Sequence, residues 1–268
     1  MSNTVEHSSW REETLEEAPD GTSAGPLRRR EFQLQRGTRP IPGVLWQRAD
    51  AAPGAPLVCF GHGASGTRHQ PPIPHLARRL VREHGFFALS IDGPVHGRRQ
   101  VGEGGRKAFW PEFQRPGCVA DMVADWRLVI DWVRALPDVG RGRMGYWGLS
   151  MGTIFGAPLL AELGTFDAAV LGLMGIAGPD HYLPTIEAAA RRISCPVFFV
   201  QQLEDELFTR AQYEALFDAL ASTDKRLHAN PGLHPQVPPE ELDFSVRFLA
   251  AYLAGDGFPR DSAFQVSD

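Results

Sequence analysis

The chain is poor in cysteine, has no excess of basic residues and contains no long hydrophobic run. Its three cysteines are an odd number, and Cys59 and Cys195 lie in or beside apolar runs where thiols serve as small hydrophobes, which indicates a reducing compartment. Asp and Glu (32) outnumber Lys and Arg (27), and this net charge of −5 without a basic stripe argues against nucleic acid as a partner.

No apolar stretch approaches the length of a membrane span, and the first 25 residues have no run of signal-peptide type. We therefore expect a cytoplasmic protein without a membrane span. Hydrophobic residues make up 43% of the 268 residues, which is enough for one sizeable core. The predicted organisation is a flexible N-terminal tail (1–26), a single domain (27–256) and a C-terminal tail (257–268).

Apolar runs of strand length alternate with amphipathic helix patterns along the domain. This alternation predicts an α/β fold with a mostly parallel sheet and right-handed crossovers. Pro158 lies inside one predicted helix and is expected to kink it or end it early. The predicted strands are 31–36, 43–47, 57–60, 86–91, 143–147, 168–176 and 196–200, and the predicted helices are 73–83, 119–136, 153–163, 210–220 and 239–253.

A serine lies between two glycines where an apolar strand pattern changes to helix, in the sequence Gly148-Leu149-Ser150-Met151-Gly152. Such a sharp strand-to-helix turn holds its central residue in a strained conformation, and glycines two positions away avoid collision with neighbouring backbone. The first turn of the helix directs free N–H groups toward the serine, which favours a developing negative charge. The pattern predicts a nucleophile elbow, although a glycine-rich turn whose serine has no catalytic role would have the same sequence.

A serine nucleophile needs a base and an acid, and both have candidates later in the chain. His234 lies in a loop between a polar run and the last predicted helix, where it is free to reach over a site. Asp205 follows the carboxyl end of the buried strand at 196–200. Its neighbours Glu204 and Glu206 are more simply interpreted as solvated loop charges, with Glu204 a weaker alternative acid.

Taken together, these motifs resemble the α/β-hydrolase family, and within it the small dienelactone-hydrolase-type and carboxylesterase-type serine hydrolases. The chain order Ser150, Asp205, His234 is the order of that family. The strand at 57–60 ends in a His-Gly loop, and 90–97 is similar to the Asp-x-Pro-x-His-Gly turn of the family. The resemblance, which runs from about 28 to 253, implies an eight-stranded sheet flanked by helices without a large lid domain.

The same resemblance implies a site. The backbone N–H groups of Ala64 and Met151 would form the oxyanion hole, and Ser150, His234 and Asp205 would hydrolyse a small carboxylic ester, lactone or thioester through an acyl-enzyme. A C–C bond hydrolase or acyltransferase with the same triad remains an alternative. A non-catalytic small-molecule-binding protein on the same fold remains another, because fold alone does not decide function.

Substrate choice is expected to depend on two connections of little regular pattern, 94–117 and 177–193. The first carries aromatic residues and several cations, which would suit a carboxylate or aromatic acyl group, but a solvated basic loop with aromatics packed on the core is an equal interpretation. Those cations are Arg98, Arg99, Arg106, Lys107 and Arg115, and the expected pocket residues are His62, His96, Trp110, Phe113 and Leu149.

Three further patterns have simpler explanations. Several histidines suggest a metal cluster, but none has partners at zinc-ligand spacing, so we expect neither a metal nor a cofactor. Asp180 is the competing triad acid, because some family members place the acid there, and a turn residue is its simpler interpretation. Asp92 is better explained as a turn-forming residue. The sequence leaves open a monomer or a homodimer, and it gives no role to Gln201 and Gln202.

Overall fold

A computed structural model describes residues 11–16, 25–176 and 183–258 of the chain. One mixed sheet runs through it, in the order β1-β2-β3-β5-β4-β6-β7-β8-β9. The first three strands are antiparallel to their neighbours and the rest pair in parallel. The strands are β1 (Arg11–Glu16), β2 (Leu27–Arg36), β3 (Arg39–Arg48), β4 (Leu57–Gly61), β5 (Phe87–Ile91), β6 (Met144–Gly148), β7 (Ala168–Gly172), β8 (Val197–Gln202) and β9 (Lys225–Asn230).

Helices cover both faces of this sheet. Side chains of successive strand residues point to opposite faces, so Leu57 and Cys59 of β4 join one core whereas Val58 and Phe60 join the other. The first core contains apolar residues of α2 to α6, and the second contains those of α1 and α7. The helices are α1 (Ile73–His84), α2 (Gly105–Phe113), α3 (Cys118–Arg134), α4 (Met151–Leu163), α5 (Pro184–Ala190), α6 (Arg210–Ala219) and α7 (Pro239–Ala254).

The fold class predicted from the sequence is confirmed, and the sheet has nine strands within the described residues where eight were expected. The additional strand is β1, which falls in the range predicted as a tail. Its polar sequence has no strand alternation, and it is held by backbone pairing to β2 and by an ion pair of 2.5 Å between Arg29 and Glu13. The edge strand β9 also lacks an apolar pattern, because most of its residues are only half-buried.

Two local expectations are corrected. The connection at 94–117 is not irregular, because it contains α2, whose Phe109 is buried. Pro111 and the glycines before the helix hide this element from pattern analysis. Pro158 does not end its helix early, since α4 continues to Leu163. Within the described residues no helix is both long enough and apolar enough to cross a membrane.

Candidate active site

Ser150 stands at a sharp turn between β6 and α4. Its backbone has φ 57° and ψ −119°, a left-handed φ that side-chain-bearing residues rarely adopt. Its N–H donates to the carbonyl of Gly172, at the end of the neighbouring strand β7, over 2.9 Å. The strained turn lifts the serine above the carboxyl edge of the sheet, where ligands of such folds bind.

The glycines of the turn are required because neighbouring atoms approach them closely. A Cβ atom on Gly152 would lie 2.5 Å from the carbonyl oxygen of Gly61, and one on Gly148 would lie 2.8 Å from the ring of Tyr146. Thr153, which the sequence analysis did not single out, closes the turn from the helix side. Its buried hydroxyl is 2.9 Å from the Gly148 carbonyl oxygen and accepts the Gly172 N–H at 3.0 Å.

The three side chains predicted as a triad lie in one hydrogen-bonded chain. Nε2 of His234 is 2.9 Å from Ser150 Oγ, and Nδ1 of His234 is 2.7 Å from Asp205 Oδ2. Because the carboxylate only accepts, Nδ1 carries the proton and Nε2 is left as the acceptor that faces the hydroxyl. His234 is 4% exposed and the Asp205 side chain is fully buried, so this chain of bonds is shielded from water.

Asp205 accepts more hydrogen bonds than the histidine alone supplies. Oδ1 accepts the N–H groups of Leu207 at 2.7 Å and Phe208 at 3.1 Å, and Oδ2 also accepts the hydroxyl of Tyr213. Burial by itself would raise the pKa of Asp205, but the bonds from His234, Tyr213 and Leu207 outweigh it and hold that pKa below its ordinary value. The carboxylate is therefore charged at neutral pH.

The loop that carries His234 is tied to the loop that carries Asp205. Nε2 of Gln202 donates to the Gln236 carbonyl over 2.7 Å, Glu206 accepts the His234 N–H at 2.9 Å, and Glu204 accepts the Gly232 N–H. These contacts give Gln202 a role that the sequence did not show. Glu204 and Glu206 are exposed, as expected of loop charges, and each also accepts a backbone N–H of the histidine loop.

The loop after β4 presents the predicted oxyanion amide. His62 Nδ1 donates to the Gly63 carbonyl over 2.8 Å, and the Ala64 N–H belongs to the same peptide plane, so the histidine sets the direction of that N–H. His62 Nε2 accepts the Gly93 N–H at 2.8 Å. Burial lowers the pKa of His62 to about 4, so its ring is neutral at pH 7. Among the described residues, no acceptor takes the N–H of Ala64 or of Met151.

A cleft of about 330 Å³ opens above the serine. One wall is apolar, and polar groups lie along the loop after β4 and at α2. Sequence analysis predicted His62 and Leu149 here, and both line the cleft; it missed Trp147 and Leu173, which the ends of β6 and β7 bring in. The lining residues are His62, Gly63, Ala64, Ser65, Gln70, Pro71, Pro72, Ile73, Arg106, Trp147, Leu149, Ser150, Leu173, His234, Pro235, Val237 and Leu242.

His96, Trp110 and Phe113, which were expected around the substrate, do not line this cleft. Buried His96 lies behind the oxyanion loop, where Nε2 donates to the Ala64 carbonyl over 2.8 Å. Trp110 and Phe113 pack against Phe109 in an aromatic group on α2, and Phe113 lines a different cavity. They were expected at the site because they share a connection with it, but their rings pack on Phe109 instead.

Asp92 organises the loops around the site, in keeping with the turn role predicted for it. Its buried carboxylate accepts the Arg68 N–H at 2.9 Å, the Arg68 guanidinium at 2.6 Å and the Arg98 N–H at 2.9 Å. Asp180, the competing acid, lies outside the described residues. Within the described ranges, no group of three or more His, Cys, Asp or Glu side chains is placed to hold a metal ion.

Several solved structures are similar to this chain. The complex of PEG with a novel cold-adapted esterase from an Arctic intertidal metagenomic library is 35% identical, over 85% of this chain and 94% of that one, with a TM-score of 0.75. The native structure of a cold-adapted esterase from such a library is 31% identical over 92% and 100% of the two chains, with a TM-score of 0.74.

An acetyl xylan esterase from Paenibacillus sp. R4 shares the fold at 18% identity, with a TM-score of 0.66 over 91% of this chain and 89% of that one. No model of a known protein family matches the chain, and no curated protein matches it either. The similarity to the cold-adapted esterase extends over most of both chains. The chain therefore belongs to the α/β-hydrolase family, as these esterases do.

Proposed function

We propose that this protein is a serine esterase that hydrolyses small carboxylic esters through an acyl-enzyme on Ser150. The observation that carries the proposal is the continuous chain of hydrogen bonds from Asp205 through His234 to a strained serine on the floor of a cleft. The cold-adapted esterases named above support the reaction class, because they share about a third of their residues with this chain.

In the proposed mechanism, Ser150 Oγ attacks the ester carbonyl while Nε2 of His234 takes the hydroxyl proton. The N–H groups of Ala64 and Met151 stabilise the oxyanion, and His234 then returns the proton to the leaving alcohol. Asp205 keeps the proton of the neutral imidazole on Nδ1 and stabilises the imidazolium that forms. Water, deprotonated by His234, attacks the acyl-enzyme and regenerates Ser150.

The cleft favours small substrates. Its volume of about 330 Å³ is at the lower end of the range for small-molecule sites, and its apolar wall, formed in part by Trp147, Leu173 and Leu242, suits a short alkyl or aryl group. Each methylene that fits adds binding, whereas a chain that extends beyond the wall gains little.

We expect kcat/KM on p-nitrophenyl esters to be highest for acyl chains of about two to four carbons. It should fall at least about tenfold by about twelve carbons, because the longer chain leaves the cleft and exposes apolar surface to water. Initial rates measured across the series give this profile. A profile that rises steadily with chain length would contradict the small-ester proposal.

Covalent labelling distinguishes the enzyme from a binding protein on the same fold. A fluorophosphonate probe should phosphonylate Ser150, and mass spectrometry should find the adduct on the peptide that contains 148–152. Transfer to an added alcohol in preference to water would indicate an acyltransferase. Absence of both labelling and turnover would overturn the esterase proposal.

A further inference from the structure

Arg106 stands apart from the other cations of the connection at 94–117. Three of them are paired: Arg99 with Asp125 at 2.8 Å, Lys107 with Glu103 at 3.0 Å, and Arg115 with Glu112 at 2.8 Å. Arg98 lines a separate cavity that also contains Glu13 and Glu31. Arg106 lines the cleft that holds Ser150, and within the described residues its guanidinium has no carboxylate partner.

The described lining of the cleft offers Arg106 no counter-charge. No aspartate or glutamate is among the described residues that line it. The neighbouring polar side chains are already engaged, since Gln70 Oε1 accepts the Gly63 N–H at 3.0 Å and Gln70 Nε2 donates to Ser65 Oγ at 3.4 Å. His62 is neutral because burial lowers its pKa to about 4. A guanidinium presents five donors in a planar fork that matches a carboxylate.

We propose that the cleft selects esters that carry an anionic group, a carboxylate in particular, which Arg106 binds while Ser150 attacks the ester carbonyl. This inference rests on the proposed esterase function and names its substrate class. Arg106 acts through charge at an exposed position, so its contribution to selectivity is modest and sensitive to salt.

Two matched pairs of esters test the inference. One pair is para-acetoxybenzoate and its methyl ester, which differ by a charge on the alcohol side; the other is monomethyl and dimethyl glutarate, which differ on the acyl side. In at least one pair, Arg106→Gln should lower the ratio of kcat/KM for the anionic over the neutral ester about fivefold, and Arg106→Glu should lower it further. Lys107→Gln, the adjacent exposed cation, should leave both ratios unchanged.

Comparing the ratio of kcat/KM values between a variant and the wild type cancels the intrinsic reactivity of each ester and any general loss of activity. Raising the ionic strength from about 0.01 M to about 1 M, which shortens the Debye length from about 30 Å to about 3 Å, should reduce the wild-type preference but not that of Arg106→Gln. Unchanged ratios in Arg106→Gln for both pairs would overturn the inference while leaving the esterase intact. Failure of the wild type on all four esters would overturn the esterase proposal itself.

A second inference comes from a separate observation, the hydroxyl of Tyr213. This residue of α6 is fully buried, with its ring in edge contact with Phe199 and Phe208. Its hydroxyl donates to Oδ2 of Asp205, the same oxygen that accepts Nδ1–H of His234 at 2.7 Å. Burial and the adjacent carboxylate raise the pKa of Tyr213, so the hydroxyl keeps its proton and remains a donor.

A donor on Oδ2 withdraws negative charge from the oxygen that stabilises the imidazolium. The other charged groups around this pair are Glu204 and Glu206, which hold the histidine loop from the β8–α6 connection, and Arg106 across the cleft. Within the described residues, none of the three is hydrogen-bonded to the Asp205 carboxylate, whereas Tyr213 is. We infer that Tyr213 is a positioning residue that tunes the basicity of His234 through Asp205.

The test is the pH dependence of kcat/KM for Tyr213→Phe. Removal of the hydroxyl concentrates charge on Oδ2, so His234 should hold its proton to a higher pH, and the acid limb of the profile should move up by about half a pH unit. The plateau should fall less than about tenfold, because the Leu207 and Phe208 amides still hold Oδ1.

Tyr252→Phe is the matched control. Tyr252 also donates its hydroxyl to a carboxylate, that of Asp224, and its pKa is likewise raised, but it lies on α7 and does not line the cleft. Its acid limb should coincide with that of the wild type. A structural role for Tyr213 alone would lower activity equally at every pH, so an unmoved acid limb, or one that moves down, would overturn this inference. Thermal melting curves should show that both variants are folded.

Discussion

Replacing Ser150 by alanine is expected to lower kcat/KM for p-nitrophenyl acetate by about 10⁴-fold or more. The variant keeps His234, Asp205 and the two amides of the proposed oxyanion hole, so what it loses is the covalent step alone. Alanine has the same backbone restrictions as serine at a φ of 57°, and the fold should therefore keep its stability within about 1 kcal/mol.

The same variant should no longer react with the fluorophosphonate probe. Ser222→Ala is a suitable control, because Ser222 is also buried but lies before β9, with its hydroxyl bonded to the Asp224 carbonyl at 3.1 Å. Its activity should equal that of the wild type. Retention of activity within about tenfold by Ser150→Ala, after removal of contaminating esterases, would mean that the nucleophile is another residue.

Asp205→Asn is expected to lower kcat by about 10⁴-fold, through the tautomer of the histidine. The N–H groups of Leu207 and Phe208 need an acceptor, so the amide oxygen of the asparagine should take the place of Oδ1. Its NH₂ group then faces Nδ1 of His234, which must become an acceptor. The proton moves to Nε2, opposite the Ser150 hydroxyl, and the imidazole can no longer act as a base.

Two variants complete this measurement. Glu204→Gln changes an exposed carboxylate of the same loop that bonds Gly232 rather than His234, and it should lose less than about tenfold in kcat. Asp180→Asn tests the competing acid. Near-wild-type activity of Asp205→Asn together with inactivity of Asp180→Asn would assign the acid to Asp180 and remove Asp205 from the mechanism.

The parts of the candidate site that could be predicted are those encoded by short segments. The turn around Ser150 requires glycine at two fixed positions, and both glycines lie within the five-residue segment 148–152. Asp205 follows a buried strand whose pattern places it at the carboxyl edge of the sheet, and His234 was proposed from its place in the loop before the last predicted helix. The fold followed from the same reasoning, because buried parallel strands are continuous apolar runs.

What was missed depends on contacts between distant segments. Gln202 and Tyr213 bond partners that are placed only when the loops after β8 and β9 are brought together, so no local pattern marks them. Strand β9 is partly polar because it lies at an edge of the sheet. Trp110 shares a connection with the cleft-lining Arg106, but its ring packs on Phe109 and Phe113, and no local pattern shows this contact.

The left-handed backbone at Ser150 has a consequence for how this sequence would change under relaxed selection. Glycine adopts such a φ without a Cβ clash, so serine at this position makes the fold less stable, by about 1 kcal/mol or more. A descendant that no longer needed the hydroxyl would gain stability by drifting to glycine. Serine is thus retained at position 150 although glycine would make the fold more stable. In a lineage that had lost the catalytic activity, replacement of this serine by glycine is the first change that we expect.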